Sequence, residues 1–304
     1  MKIAIIGAGA MGSLYGGYLA KAGNQVYLLD VWQEHVDTVN QNGLVILEGD
    51  EQVVSHPCGV TDQKEIGPSD LVIVFVKSIH TGSAMKNNLG LVGENTLLLT
   101  LQNGYGNAEA MAEFVEPGKI IVGTTAQGAT LVGPGVIKHA GKGITHIGKF
   151  RGGLDPQVEN LANVLRQAGF ETEVSEQAME MIWAKLFINV GINALTALLN
   201  VKNGQLLDCE ETLALMKMAV DEAVKVANAA GMSFDAEKVL ADVKKIAEAT
   251  AENRSSMLQD ISHQRKTEID MINGAIVKQG CLYTVKTPVN ETLTGLIKSK
   301  EHFQ

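Results

Sequence analysis

Residues Trp183 to Asn193 read WAKLFINVGIN, almost all apolar, yet Lys185, Asn189 and Asn193 recur at every fourth position. On an α-helix such positions drift by only about 40° per step, so the three side chains form one polar stripe. The surrounding Ile182, Trp183, Leu186, Phe187, Ile188, Val190, Ile192 and Leu195 leave no polar face, and a helix apolar all round is buried. A buried ammonium without a partner is strongly destabilising or loses its proton. The stripe must therefore face an acid or a water-filled cleft, where a charged amine is a proton donor and the amides orient a polar ligand. The blander alternative is a lysine snorkelling at the helix edge beside two core amides. Two amides in register with the lysine argue against it.

A second polar run lies downstream in ENRSSMLQDISHQRKTEIDMINGAI. Asn253, Ser256 and Asp260 are spaced by three and four, one face of a helix. Thr267 reads as an N-cap with Asp270 three residues on, which places Glu268 in a first helical turn. There it serves either the helix dipole or a cation.

The elements that would hold a reaction partner lie in the N-terminal half. Lys2 to Ile6 is a short β-branched run suited to a buried parallel strand. Gly7, Ala8, Gly9, Ala10, Met11 and Gly12 follow as G-x-G-x-x-G and open a helical pattern that stops at Gly23. A second strand, NQVYLLD, ends at Asp30, 18 residues after Gly12. Alone the glycine motif is weak evidence. Between a strand and a helix, with an acid ending the next strand, it is the dinucleotide fingerprint. Gly7 permits the turn, Gly9 lets the backbone approach a pyrophosphate, Gly12 lets helix and strand pack, and the helix N-terminus supplies N–H groups for the phosphates. The alternative is a purely structural glycine turn.

Further strands are expected over DLVIVFVK, ending at Lys77, and NTLLLTLQNG, ending at Asn103 and Gly104. Ligands of open α/β sheets sit outside the C-terminal strand ends, so Lys77 and Asn103 join the glycine loop as cofactor-site candidates. Either residue is otherwise a solvated strand end, and Asn-Gly is also good turn chemistry. NGLVILEGDEQVVSH reads as two strands around Gly49-Asp50, beyond the simple fold. The alternating, glycine-punctuated stretch from Lys119 to Phe150 predicts extra strands at the sheet edge. Near Ser175 to Gln177 the texture turns helical, with Ser175 as an N-cap. The expected fold is α/β: a Rossmann-type dinucleotide-binding domain over residues 1–175, then an all-α substrate and catalytic domain over 176–304.

Composition removes several classes. A chain of 304 residues with net charge −9 lacks the basic face that a nucleic-acid partner needs. Cys58, Cys209 and Cys281 are scattered and odd in number, which fits a reduced, cytoplasmic protein without structural zinc. The seven histidines fall singly and no carboxylate cluster has ligand spacing, so no metal site is expected. The N-terminus does not read as a signal peptide and no run of about 18 apolar residues predicts a membrane span.

These features together resemble the ketopantoate reductase (2-dehydropantoate 2-reductase) family over nearly the whole chain. The residues that carry the resemblance are GAGAMG, VKS at Lys77, QNG at Asn103, GITHIG at Gly143 to Gly148, WAKLFINVGIN with the following NG, and ENRSSMLQDI…TEIDMINGA. The resemblance implies NAD(P)H-dependent reduction of 2-dehydropantoate to (R)-pantoate, with Lys185 as general acid and Glu268 also catalytic. It also implies that Asn103, Asn189, Asn193, Asn253 and Ser256 line the substrate and nicotinamide site, with Asn203 near the substrate. The chemistry agrees. Hydride arriving at a 2-oxo carbon leaves negative charge on oxygen, which a cation must meet and protonate. Only Arg151, Arg166, Arg254 and Arg265 are available as arginines and none sits in an obvious pocket sequence, so Ser256 and the amides take the substrate carboxylate.

One departure concerns the cofactor. Family members that use NADPH carry an arginine just after the second strand; here Asp30 is followed by Val31, with Glu34 adding negative charge. A carboxylate suits the ribose hydroxyls and repels a 2′-phosphate, so NADH is expected over NADPH. The departure also admits an NAD-dependent D-2-hydroxyacid dehydrogenase of the same family, acting on branched or aromatic 2-oxo acids. A non-catalytic NAD-sensing module is the remote alternative, since it has no need of Lys185, Asn103 and Glu268 together. A homodimer is expected only by analogy with relatives.

Overall fold

A computed structural model describes residues 1–153 and 155–303. Two compact units form: Met1–Gln102 with Asn107–Met181, and Asn103–Gly106 with Ile182–Gln304.

In the first unit, strands β1 (Lys2–Ile6), β2 (Gln25–Leu29), β3 (Leu44–Glu48), β4 (Glu51–Ser55), β5 (Cys58–Val60), β6 (Ser69–Val74) and β7 (Val92–Thr100) are followed by β8 (Ile120–Thr125), β9 (Gly128–Gly133), β10 (Val136–Gly141), β11 (Thr145–Lys149) and β12 (Thr172–Val174). Helices α1 (Ala10–Lys21), α2 (Gln33–Asn42), α3 (Thr81–Asn87), α4 (Asn107–Ala112) and α5 (Pro156–Gln167) connect them. The main sheet runs β12-β11-β8-β7-β6-β1-β2-β5 and is parallel from β5 through to β8. Ile3, Ile5, Leu71, Ile73, Leu99 and Ile121 are fully buried, which explains the near-continuous apolar strands.

The stretch from Lys119 to Phe150 departs from expectation. Only β8 and β11 join the main sheet, paired antiparallel. The middle strands β9 and β10 leave it for a second sheet, β4-β3-β10-β9, built on the β3–β4 hairpin. The reason is burial. Leu44, Ile46 and Ile137 of the second sheet share one core with Leu14, Tyr15 and Leu19 of α1 and Ile3, Ile5 and Leu28 of the main sheet. The otherwise uncovered side of α1 thereby loses its apolar exposure.

The second unit follows α6 (Ala178–Leu199), whose first turn carries the division between the units. The Ser175 Oγ accepts the Gln177 N–H at 3.0 Å, but the helix itself begins at Ala178. Helix α6 is long and apolar enough by composition to cross a membrane. Here Trp183, Leu186, Phe187, Val190 and Leu195 instead form the core of a helical body with α7 (Glu210–Ala229), α8 (Ala236–Ala249), α9 (Ser256–Ser262), α10 (Asn273–Tyr283) and α11 (Pro288–His302). Buried Glu222 on α7 accepts the Val289 and Asn290 N–H groups at 2.9 and 3.0 Å, which satisfies free donors at the start of α11.

Candidate active site

The nucleotide half belongs to the first unit. Leaving β1, the chain turns at Gly7, whose φ of +96° few L side chains adopt and whose place for a Cβ lies 2.8 Å from the Val76 nitrogen. Helix α1 then starts at Ala10, with Gly9 as its N-cap and no side chain over its first N–H groups. Asp30, just past β2, ties this turn down: one carboxylate oxygen accepts the Ala8 N–H at 2.6 Å and the other accepts the Trp32 N–H at 3.0 Å. Below the turn, Ser13 Oγ donates to the Ala8 carbonyl at 2.8 Å and meets His35 Nε2 at 3.3 Å. His35 Nδ1 accepts the Gly135 N–H at 3.1 Å, so this imidazole is neutral with its proton on Nε2. Burial holds its pKa below the ordinary value, against the pull of Asp30.

A cavity of about 720 Å³ opens here, lined among others by Gly7, Asp30, Val31, Asp62, Lys64 and His80. The glycine turn, the open approach over Gly9 and this cavity fit a dinucleotide, with free N–H groups for a pyrophosphate and a carboxylate for ribose hydroxyls. Val31 is 95% exposed beside Asp30 and offers no cation.

The acid half belongs to the second unit. Lys185 is part-buried on α6. Its burial in that apolar helix pulls the ammonium down to about 8, against the Glu268 carboxylate, which pushes it up. An amine with that value is both protonated and able to give its proton near neutral pH. Asn189 is part-buried and Asn193 is buried on the same helix. Asn203 packs below the Asn253 segment, its N–H donating to the Asn253 carbonyl at 3.0 Å and its Nδ2 to Thr250 Oγ1 at 2.9 Å. Its buried Oδ1 accepts nothing among the described residues.

Several placements differ from the sequence expectation. Strand β6 stops at Val74, so Lys77 is no strand end; it stands before the short turn Ser78–His80 that leads into α3. Strand β7 stops at Thr100, and Asn103 groups with the helical unit. There the Tyr105 N–H donates to the Met271 carbonyl at 2.9 Å and the Tyr105 ring lies 4.7 Å from Trp183. The Asn253 face is also different: α9 begins at Ser256, Asn253 precedes it, and the cap is Ser255, which accepts the Leu258 N–H at 3.1 Å. The reason is visible on α6. Thr196, three residues beyond Asn193, meets Ser255 Oγ at 2.7 Å and draws Ser255 inward, leaving Ser256 exposed. Glu268 does not lie in a first α-helical turn. It precedes the 3-10 turn Ile269–Met271, and Thr267 Oγ1 accepts the Ile269 N–H at 3.2 Å.

Arginine recognition of a carboxylate finds no support among the three arginines with assigned partners. Arg254 donates to Ser262 Oγ at 2.7 Å, Arg265 pairs with Asp260 at 3.0 Å, and Arg166 pairs with Glu159 at 2.6 Å. Among the described residues no group of three or more His, Cys, Asp or Glu is placed to hold a metal. The sequence does not single out Asp62, Lys64 and His80 as cavity residues. Their only local signal is that they follow β5 and β6 on the strand ends nearest the glycine turn.

Comparison with known proteins finds matches in both units. The domain described as ketopantoate reductase PanE/ApbA matches residues 3–152, and the ketopantoate reductase PanE/ApbA C-terminal domain matches residues 177–301. The 2-dehydropantoate 2-reductase of Halobacterium salinarum is 40% identical over 299 residues, 98% of each chain. That of Pyrococcus abyssi is 40% identical over 301 residues, 99% of this chain and 98% of its own. Among solved structures, D-mandelate dehydrogenase with NADH and anilino(oxo)acetate has a TM-score of 0.93 at 33% identity, covering 100% of this chain and 99% of that one. A PanE/ApbA family ketopantoate reductase from Ralstonia eutropha has a TM-score of 0.91 at 32% identity, with the same coverage. With residues 3–152 and 177–301 matched by the two domains and whole-chain relatives at 40% identity, the chain belongs to the ketopantoate reductase PanE/ApbA family.

Proposed function

We propose that this protein is a 2-dehydropantoate 2-reductase in which Lys185 is the general acid. The observation that carries the reading is a lysine brought down to about 8 by an apolar helix while a carboxylate, Glu268, keeps it charged. When bound, a nicotinamide cofactor supplies hydride to the oxo carbon. Gly7, Ala8, Gly9, Ala10, Met11 and Gly12 hold its pyrophosphate against the start of α1, Asp30 takes its ribose hydroxyls, and Lys77 and Asn103 complete its site. Asn189, Asn193, Asn203, Asn253 and Ser256 bind and orient the oxo acid, and Asn103 donates to its carbonyl oxygen. The Lys185 ammonium stabilises the developing alkoxide and protonates it, with Glu268 aiming the amine.

We assign NADH as the preferred cofactor, with NADPH the weaker one, because a carboxylate and an exposed valine stand where a 2′-phosphate needs a cation. A second reading, an NAD-dependent D-2-hydroxyacid dehydrogenase for branched or aromatic oxo acids, is favoured by the TM-score of 0.93 to D-mandelate dehydrogenase. Steady-state kinetics on ketopantoate, 2-ketoisovalerate and benzoylformate with both cofactors decides these points. Ketopantoate with NADH is expected to give the highest kcat/KM. A win for benzoylformate moves the assignment to the second reading, and a win for NADPH removes the role given to Asp30. Exposed, unbridged Cys58, Cys209 and Cys281 suit a reducing compartment, and we place the enzyme in the cytoplasm.

The pH dependence follows with a definite sign. Reduction needs the protonated amine, so kcat/KM for the oxo acid should be flat below pH of about 8 and fall above it. The substrate carboxylate adds negative charge near Lys185, so the limb in kcat should lie higher than the limb in kcat/KM. Removing the Glu268 charge in Glu268→Gln takes away the influence that raises the amine and should move the kcat/KM limb to lower pH. An unmoved limb in Glu268→Gln would show that Lys185 is not the titrating acid.

A further inference from the structure

We propose that the C-terminal helix α11 positions the acid couple: Glu301 holds the segment that carries Glu268, and Lys300 holds the end of the helix that carries Lys185. The proposal rests on the reading of Lys185 as proton donor.

Thr267 is 1% exposed, and its N–H and its hydroxyl both donate to one oxygen of Glu301, at 2.7 and 2.6 Å. Its Oγ1 in turn accepts the Ile269 N–H at 3.2 Å. The residues on either side of Glu268 are therefore tied to each other and to a carboxylate from a helix 34 residues away in sequence. Hydrogen bonds to an ionised acceptor are about twice as strong as neutral ones, so the bracket is stiff. One residue earlier, the Lys300 ammonium donates to the Ala197 and Leu198 carbonyls at 3.0 and 3.2 Å. These are among the last carbonyls of α6, which lack helical partners, and a cation there also suits the helix dipole. Two adjacent side chains thus secure two different elements, one bearing the acid and one its carboxylate.

Other charged groups stand around this junction. Lys298 on α11 pairs with Asp270, and Glu268 faces Lys185 from outside α6. Lys266 precedes Thr267, and His302, after Glu301, packs edge-on against Phe303. Glu301 itself receives two neutral donors from Thr267, so its effect on Lys185 runs through the placement of Glu268.

A merely structural role would lower Tm without moving the titration of the acid. The test is the pH profile of kcat/KM, with Tm and cofactor KM, for wild type, Glu268→Gln, Glu301→Ala and Glu301→Gln. Glu301→Ala is expected to move the alkaline limb below about 8, toward that of Glu268→Gln. It should also lower kcat by about tenfold or more with cofactor KM within about twofold. Glu301→Gln keeps an acceptor for Thr267 and should restore the limb and most of kcat. If Glu301→Ala does not fold, Thr267→Val removes only the hydroxyl bond and should move the limb part of the way. A limb at the wild-type position in Glu301→Ala or, failing that, in Thr267→Val overturns the positioning role. An unmoved limb in Glu268→Gln overturns the proton-donor reading and this proposal with it.

Discussion

Replacing Lys185 with alanine is expected to lower kcat for oxo-acid reduction by about three orders of magnitude or more, with cofactor affinity within about twofold of wild type. Two contributions are lost together. A positioned general acid is worth about 10²–10⁴ in rate, and a cation facing a developing oxyanion adds a term of its own. The residues assigned to the pyrophosphate and ribose, Gly7 to Gly12 and Asp30, all belong to the other unit, so the fluorescence titration of bound NADH should be nearly unchanged. Lys185→Arg separates the two contributions. A guanidinium stays charged but does not give up its proton near neutral pH, so oxyanion stabilisation is partly kept while proton transfer is not. That variant should fall between wild type and Lys185→Ala, and its kcat/KM should lose the limb at about 8. Survival of turnover within about tenfold in Lys185→Ala, a barrier change of about 1.4 kcal/mol, would end the assignment.

How much of this was legible in the sequence depends on the range of the interaction. The glycine turn, Asp30 and the Lys185 stripe are local patterns of spacing: the turn lies between β1 and α1, the stripe lies on α6, and Asp30 stands one residue past the end of β2. The β3–β4 hairpin around Gly49-Asp50 is likewise local. Long-range partners were not legible. Nothing near Val136 shows that β10 pairs with β3, some ninety residues earlier, rather than extending the main sheet. Asn103 reads as a strand end because the apolar run before it is continuous, yet β7 stops at Thr100. The spacing of Asn253, Ser256 and Asp260 reads as one helix face, yet α9 begins only at Ser256 with Ser255 as its cap, a choice tied to the distant Thr196 hydroxyl. Glu301 is invisible for the same reason, since its partner Thr267 lies outside any local period.

The glycine turn allows the second large effect to be split into two outcomes, because Gly9 and Gly12 fail differently when a methyl group is added. At Gly12 a Cβ would stand 1.9 Å from the Gly7 carbonyl oxygen and 3.3 Å from an Ile5 side-chain carbon. That oxygen is backbone, so β1 and α1 must separate in a core where Ile5 and Leu14 are fully buried. Gly12→Ala should therefore destabilise the protein by about 2 kcal/mol or more, read as a lower Tm, and weaken cofactor binding through the displaced turn. At Gly9 a Cβ meets nothing within 4 Å, and φ of −65° suits any residue. Gly9→Ala should keep the wild-type Tm in the absence of ligand. The same open space is where the backbone must approach a pyrophosphate, so the methyl group should raise the cofactor Kd by at least about tenfold, a loss of about 1.4 kcal/mol. Thermal denaturation alongside NADH titration distinguishes the two. A Gly9→Ala protein that binds NADH as tightly as wild type would mean that the phosphates do not cross this turn, whatever Lys185 does.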